Sequence, residues 1–294
     1  MAAETVKAKL PLVVIAGPTA SGKTSLAIRL AKQYNGEIIC ADSRTIYRDM
    51  DIGTAKPTMA EREAVPHWGL DLVSPGETFS AAQFKEYALQ KISEIRSRGR
   101  LPFLVGGTGL YIDAVLFDFQ FGDPPDSVLR CELEKKTVAE LQYYCCKYNI
   151  KLPENNKNKR YLIHAIEQKN NINRCSTGIR DNSVVVGITT NKDILRTRIV
   201  LRSEQLFLNN VVSEAMLLAR KYGWDNEAMT GNVYPLVREF LNKNITENEL
   251  KRQFVIADWR LAKRQMTWLR RNPFIMWATL DSAEHYLSQL LARA

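Results

Sequence analysis

The sequence of 294 residues predicts an α/β fold of the P-loop type, a parallel sheet flanked by helices and carrying a helical insertion domain. Three observations point there. A short apolar run at residues 12–16, rich in β-branched side chains, leads straight into a glycine loop and then a helical pattern. Two further strand patterns, at residues 36–42 and 101–105, are separated by a strong helix, the alternation that builds a parallel doubly wound sheet. Near residue 117 the pattern turns polar and basic. It returns to an apolar strand only at residues 184–188. Residues 1–116 and 183–294 are therefore expected to form one core, with 117–182 as the insertion.

Taken in order, the first feature is the loop after residue 16. Gly17, Pro18, Thr19, Ala20, Ser21, Gly22, Lys23 and Thr24 fit G-x-x-x-x-G-K-[ST]. Glycines let backbone N–H groups curl around an anion, and the following helix N-terminus adds partial positive charge. The lysine supplies a full charge, and the threonine hydroxyl is suited to Mg2+. The loop predicts a bound di- or triphosphate without saying what becomes of it. The next helix has Leu26, Ala27, Leu30 and Ala31 on one face. The second strand ends on Asp42. Residues 42–56 read as a loop with room for one turn of helix, punctuated by Gly53 and Pro57, and residues 68–73 as a short strand. Ser80 is an N-cap for a helix whose face is Phe84, Ala88, Ile92 and Ile95, with Gly99 as its stop. The third strand closes in Gly106, Gly107, Thr108 and Gly109, and a short helix follows to residue 116. Ligands of such sheets lie beyond the carboxyl ends of the strands. Residues 17–24, 42–45 and 106–108 should therefore meet at one crevice.

The insertion shows helical patterns near residues 128–136, 138–148 and 161–168, with a polar loop at 154–160. After the strand at 184–188, a long helical region from 193 to 222 is expected to break at Asn209 and Asn210. Thr246 and Glu249 form a capping box for a last major helix reaching toward Leu269, and residues 274–277 read as a final strand.

Composition narrows the partners. The formal net charge of +9 favours an anionic partner, with nucleic acid ahead of a membrane surface. Between residues 251 and 271, Lys251, Arg252, Arg260, Lys263, Arg264, Arg270 and Arg271 stand against a single acid, Asp258, with Trp259 and Trp268 interleaved. That is either a polyanion-binding face or a basic helix whose tryptophans belong to the core. Five cysteines in no C-x-x-C arrangement suggest neither a zinc ribbon nor a disulfide framework, so a reduced, cytoplasmic setting is expected. No run is long enough to span a membrane, and the first residues do not read as a signal peptide. No obligate protein partner is evident.

An ordinary P-loop NTPase places a second Asp at the end of an apolar strand to organise Mg2+ and water. Here the strand at 101–105 ends in Gly-Gly-Thr, and Asp42 is the acid at a strand end. Asp42 is either a functional carboxylate or an Asx turn leaving the strand. The stretches 17–24, 41–44 (Ala-Asp-Ser-Arg), 46–48 (Ile-Tyr-Arg), 50–57 (Met-Asp-Ile-Gly-Thr-Ala-Lys-Pro), 105–111 (Val-Gly-Gly-Thr-Gly-Leu-Tyr) and 262–270 (Ala-Lys-Arg-Gln-Met-Thr-Trp-Leu-Arg) together resemble the tRNA dimethylallyltransferase family, the tRNA isopentenyltransferases. The resemblance covers nearly the whole chain. It implies transfer of a dimethylallyl group from dimethylallyl diphosphate to N6 of the adenosine 3′-adjacent to the anticodon, with Mg2+ as cofactor. It also accounts for the missing second Asp, since no ATP needs hydrolysing.

Carried over by position, the resemblance makes Asp42 the general base. Lys23 and Thr24 neutralise and orient the diphosphate in the 17–24 loop. Contacts to the tRNA anticodon stem-loop are implied for Asp42, Ser43, Arg44, Thr45, Thr108, Arg130, Arg160, His164, Tyr234, Lys263 and Arg264, with the insertion gripping the stem-loop. The chain departs from the family pattern at Thr45, where Gln is usual. In the 161–167 segment (Tyr-Leu-Ile-His-Ala-Ile-Glu) two arginines are lost, and the 232–235 segment (Asn-Val-Tyr-Pro) lacks the usual basic residue. These departures fall mostly on the expected RNA contacts. A P-loop kinase of a nucleoside or small metabolite, and an enzyme prenylating free adenine nucleotides, are the rival readings. A noncatalytic RNA-binding module leaves the loop and Asp42 unexplained.

Overall fold

The structure, a computed structural model, describes residues 10–122, 126–168, 176–231 and 233–293. Elements follow in the order β1 (Leu12–Ala16), α1 (Lys23–Gln33), β2 (Gly36–Ala41), α2 (Met59–Ala64), β3 (His67–Trp68), α3 (Ala81–Ser97), β4 (Leu101–Gly106) and α4 (Gly109–Leu116). Then come α5 (Ser127–Glu134), α6 (Val138–Lys147) and α7 (Lys159–Gln168). The chain ends with β5 (Ser183–Ile188), α8 (Lys192–Leu208), α9 (Val211–Tyr222), α10 (Tyr234–Leu241), α11 (Glu247–Leu269), β6 (Met276–Ala278) and α12 (Leu280–Leu291).

The six strands form one parallel sheet in the order β3-β2-β4-β1-β5-β6. β1, β2 and β4 are buried along their whole length, which is why they read as unbroken apolar runs rather than as alternating ones. One face packs against α1 and α12 through Leu26, Leu30, Phe103, Ala283 and Leu287. The other packs against α3 and α4 through Phe84, Ala88, Ile92, Ile112 and Val115. Gly106 pairs with Ala41, and a Cβ there would sit 2.0 Å from the Ala41 carbonyl oxygen, so the β2–β4 approach at the cleft end requires glycine.

The chain divides into two compact units, one of residues 1–117 and 178–294, the other of residues 118–177. The second unit has its own small core of Leu133, Leu141, Cys145, Ile150, Leu162, Ile163 and Ile166 from α5, α6, α7 and the loop between them. Capping boxes start α3 at Ser80, α6 at Thr137 and α11 at Thr246, each with a Glu or Gln at the third helical position. The break between α8 and α9 falls at Asn209 and Asn210, the latter left-handed at φ 67°.

Several elements differ from the sequence expectations. The strand expected at 68–73 pairs with β2 only at His67 and Trp68, and a single bridge joins Tyr47 to Val73. The final strand is shifted toward the C-terminus, to Met276–Ala278. Residues 42–57 form a loop, yet not a solvated one. Ile46, Tyr47 and Met50 are buried with side chains of α9, α10 and α11 in a third core cluster. The spacing 46, 47, 50 follows neither strand nor sustained helix period, so periodicity does not register it. Helices α2, α10 and α12 lie outside the expectations as well. α12 is capped by Thr279 and packs Ala283, Leu287 and Leu291 at four-residue spacing. Asn232, part of the departing 232–235 segment, and Cys175 lie outside the described residues.

Candidate active site

The phosphate-type loop springs from the central strand. Gly17 N–H donates to the Gly106 carbonyl (3.2 Å), tying the loop to the end of β4. Ser21 N–H donates back to Pro18 O at 3.2 Å, and Ala20 and Gly22 take left-handed φ of 60° and 91°, which curls the backbone into the turn that opens α1. No side chain caps the N-terminus of α1. A helix start of this kind, with Lys23 beside it, is a ready anion site.

Lys23 folds over the loop, its Nζ donating to Pro18 O at 3.2 Å. Burial against the loop pushes its pKa down to about 8, with Arg202 adding to the fall while the charge of Asp42 opposes it. Thr24, one residue on, lines the same cleft.

Asp42 follows directly on β2. Its Oδ1 accepts the Arg44 N–H at 2.8 Å, so the Asx turn is present. The same carboxylate lines the cleft beside Lys23, so a turn-forming and a functional Asp42 are not exclusive. Thr108 caps α4 from the end of β4. Its N–H donates to Ala41 O (3.2 Å), and its Oγ1 accepts the Ser43 N–H (3.1 Å). These bonds stitch the 42–45 and 106–108 segments together. With the 17–24 loop they bound one cleft of about 350 Å3 that also takes in residues of 53–57, α8 and α11.

Helices α8 and α11 supply groups that the sequence did not single out. Arg198 donates to Ser21 O at 3.0 Å, and Arg202 donates to Thr19 Oγ1. Arg202 is also 3.7 Å from the carboxylate of Asp258, which is only 2% exposed. Gln265 accepts the Thr19 N–H at 2.8 Å. Arg198 and Arg202 stand four apart on a helix that follows a strand, a spacing that puts both on one face. That spacing is the available signal for the two arginines. Gln265 lies inside the 262–270 motif, which by itself gives it no role.

The remaining expected residues separate into groups. Arg264 lines the cleft, and Lys263 is exposed beside it on α11. Trp268, half-buried, donates from Nε1 to the buried Asp113 of α4 (2.7 Å). Arg44 reaches Glu227 O (2.8 Å) and Thr230 Oγ1 (3.2 Å) and so anchors its loop to the turn before α10. Thr45 is buried. Tyr234, expected as a tRNA contact, lines the inner wall of the cleft. It is 1% exposed, with its hydroxyl donating to Glu214 at 2.8 Å, and burial with that neighbouring carboxylate raises its pKa. Its ring lines the cleft while its hydroxyl is held by Glu214. Arg130, Arg160 and His164 lie in the unit of residues 118–177. Arg160 and His164 are exposed, while Arg130 is ion-paired with Glu134 (3.3 Å) and Glu167 (3.4 Å).

Comparison with known proteins decides what this cleft belongs to. The family model described as IPP transferase matches residues 45–272. A tRNA dimethylallyltransferase of Roseiflexus sp. (strain RS-1) is 38% identical over 291 residues, covering 94% of this chain and 95% of the relative. The chain belongs to the tRNA dimethylallyltransferase family. A Bacillus anthracis tRNA dimethylallyltransferase is 35% identical over 288 residues, covering 93% and 92% of the two chains. The full-length tRNA isopentenylpyrophosphate transferase of Bacillus halodurans superposes with a TM-score of 0.74 at 36% identity, over 97% of this chain and 98% of the other. A eukaryotic dimethylallyltransferase acting on tRNA shares the fold, with a TM-score of 0.75 at 20% identity over 92% of this chain and 74% of that one. Membership makes this chain a prenyltransferase, and the α/β fold with its parallel sheet is that of the family. No described helix is long and apolar enough to cross a membrane.

Proposed function

We propose that the chain transfers the dimethylallyl group of dimethylallyl diphosphate to N6 of the adenosine 3′-adjacent to the anticodon in tRNA. The observation that carries this reading is the meeting of an anion-binding loop and a strand-end carboxylate, Asp42, in one cleft of a family member. The amides of the 17–24 loop, Lys23 and Arg202 hold the diphosphate. Their positive charge is matched to the charge that grows on the departing oxygen as the C1–O bond breaks. N6 of adenine attacks C1 of the allyl group. As that bond forms the amine becomes acidic, and the Asp42 carboxylate takes its proton.

The residues present fit a divalent cation of the hydrated, substrate-bound kind. Among the described residues no cluster of three His, Cys, Asp or Glu could cage a metal, whereas Thr24 at the start of α1 faces the cleft. Mg2+, which keeps several waters and binds largely through substrate phosphates, suits that donor set. When bound it supplies charge neutralisation of the diphosphate. On the RNA side, Lys263 and Arg264 of α11 and Arg130, Arg160 and His164 of the insertion are the proposed contacts, with phosphates as their main targets. The cytoplasm is the proposed location.

The test offers labelled dimethylallyl diphosphate with unmodified tRNA, with AMP, or with no acceptor, and in parallel γ-labelled ATP with nucleosides. Label on tRNA alone is expected. Label on AMP, or phosphoryl transfer from ATP, would replace this reading with one of its rivals.

A further inference from the structure

We propose that Glu214, a residue of α9 outside the cleft, is a positioning residue for the transfer reaction, acting by fixing the cleft wall that residues 53–57 form. The inference rests on the function proposed above.

Glu214 Oε2 accepts the N–H groups of Asp51 (2.8 Å) and Ile52 (2.6 Å), and Oε1 accepts the N–H of Gly53 and the hydroxyl of Tyr234, both at 2.8 Å. Three successive backbone amides aimed at one carboxylate form a nest, the arrangement that backbones use to bind anions. Here the anion is a side chain of the same molecule. The fit is close: a Cβ on Gly53 would stand 2.5 Å from the Tyr234 hydroxyl. Immediately after the nest, Gly53, Thr54, Ala55 and Pro57 line the cleft that also holds Lys23 and Asp42. On its other side the segment is pinned by Lys56, whose Nζ donates to Tyr47 O (2.6 Å), Asp51 (2.8 Å) and Asp71 (2.6 Å).

The chemistry explains why such a wall needs fixing. Attack of N6 on C1 needs the two atoms at roughly 3–3.5 Å and aligned, and a misplacement of about 1 Å can cost on the order of 10²-fold. The 17–24 loop holds only the diphosphate end of the donor. The wall at 53–57 bounds the remaining space around the reacting atoms. Loosening it should therefore lower kcat and leave the affinities for diphosphate and tRNA, which are carried elsewhere, nearly unchanged.

The test compares the full chain with Glu214→Ala and the near-isosteric Glu214→Gln. In Glu214→Ala, kcat on tRNA should fall about 10–100-fold, with KM for each substrate shifting less than about threefold. Amides 51–53 should lose protection from hydrogen exchange. Added formate, a free carboxylate of the right size for the vacated nest, should restore at least part of both in Glu214→Ala and do nothing for the wild type. Glu214→Gln, whose amide NH2 faces the N–H donors, should be slowed and not rescued. A merely structural role would lower the melting temperature without moving kcat of the folded fraction. A folded Glu214→Ala or Glu214→Gln with kcat within about twofold of wild type overturns the proposal, as does a loss that appears only in KM or one that formate leaves untouched. Should Glu214→Ala fail to fold, Glu214→Gln decides by the same kcat criterion. A wild type that transfers nothing to tRNA overturns the proposed function and this inference with it. An active wild type beside unaffected variants overturns this inference alone.

Discussion

With the diphosphate held in the 17–24 loop as proposed, Lys23 makes its binding depend on pH. Its pKa is held near 8, chiefly because the loop strips water from the ammonium. A diphosphate binds the charged form, so affinity should be level below that pKa and fall tenfold per pH unit above it. With a pKa of about 8, the protonated fraction drops from about nine-tenths at pH 7 to about one-tenth at pH 9. Affinity for an unreactive dimethylallyl diphosphate analogue should thus weaken roughly tenfold across that interval. The same lowering makes a statement about stability. Between about pH 8 and the ordinary lysine value of 10.5 the unfolded chain binds more protons than the folded one, so the Lys23 contribution to stability rises with pH through that window. The assay is equilibrium titration of the analogue at fixed ionic strength, in wild type and in Lys23→Met. The variant should bind more weakly by about 1.5–3 kcal/mol, the worth of a hydrogen bond to a charged group. Its remaining pH dependence reports the ligand's own ionisation and is subtracted. A flat wild-type profile, or a slope above pH 8 that Lys23→Met retains, would refute the assignment.

Other outcomes follow from the same geometry. Asp42→Asn keeps the shape and the Asx turn but cannot take a proton, so single-turnover rate should fall about 10²–10⁴-fold with both substrate affinities little changed. Recovery of that rate at high Mg2+ would make Asp42 a metal organiser instead. Lys56→Met removes a side chain 1% exposed that bridges Asp51 and Asp71, and should cost about 3 kcal/mol in chemical denaturation, the low end for a broken buried pair because both acids keep contact with water. A loss under about 1 kcal/mol would show that the bridge is replaced by solvent. Lys263→Glu, on an exposed position of α11, should weaken tRNA binding and lessen its salt slope by about 1, with circular dichroism unchanged. An unaltered slope places the phosphate contact elsewhere.

How much of this was legible in the sequence depended on whether a residue's partner was near it in the chain. The strands β1, β2, β4 and β5 and the Ser80 and Thr246 caps are local signals, and they appear where the sequence places them. The break at Asn209 and Asn210 belongs with them. The cleft itself followed from a topological rule, that strand ends in a parallel sheet converge. Side chains that act at long range were not legible. Gln265 meets the Thr19 amide across 246 positions, and Arg202 meets Thr19 across 183. Nothing in a helix period tells which of its polar residues faces a loop from the other end of the chain. Burial was not legible either. Tyr234, expected as a contact through the family segment alone, begins α10 and is enclosed at the cleft wall with its hydroxyl on Glu214. Asp258, the single acid between residues 251 and 271, is buried near Arg202 rather than balancing a solvated surface.

The central claim, prenyl transfer to one adenosine of tRNA, is tested most directly by locating the new bond. The wild type is incubated with dimethylallyl diphosphate and unmodified tRNA, the product is digested by nuclease, and its fragments and nucleosides are read by mass spectrometry beside the diphosphate released. The account predicts one dimethylallyl group per tRNA, on N6 of the adenosine 3′-adjacent to the anticodon, with diphosphate released in equal amount. A group on another atom or another adenosine, or diphosphate released without any incorporation, would contradict it.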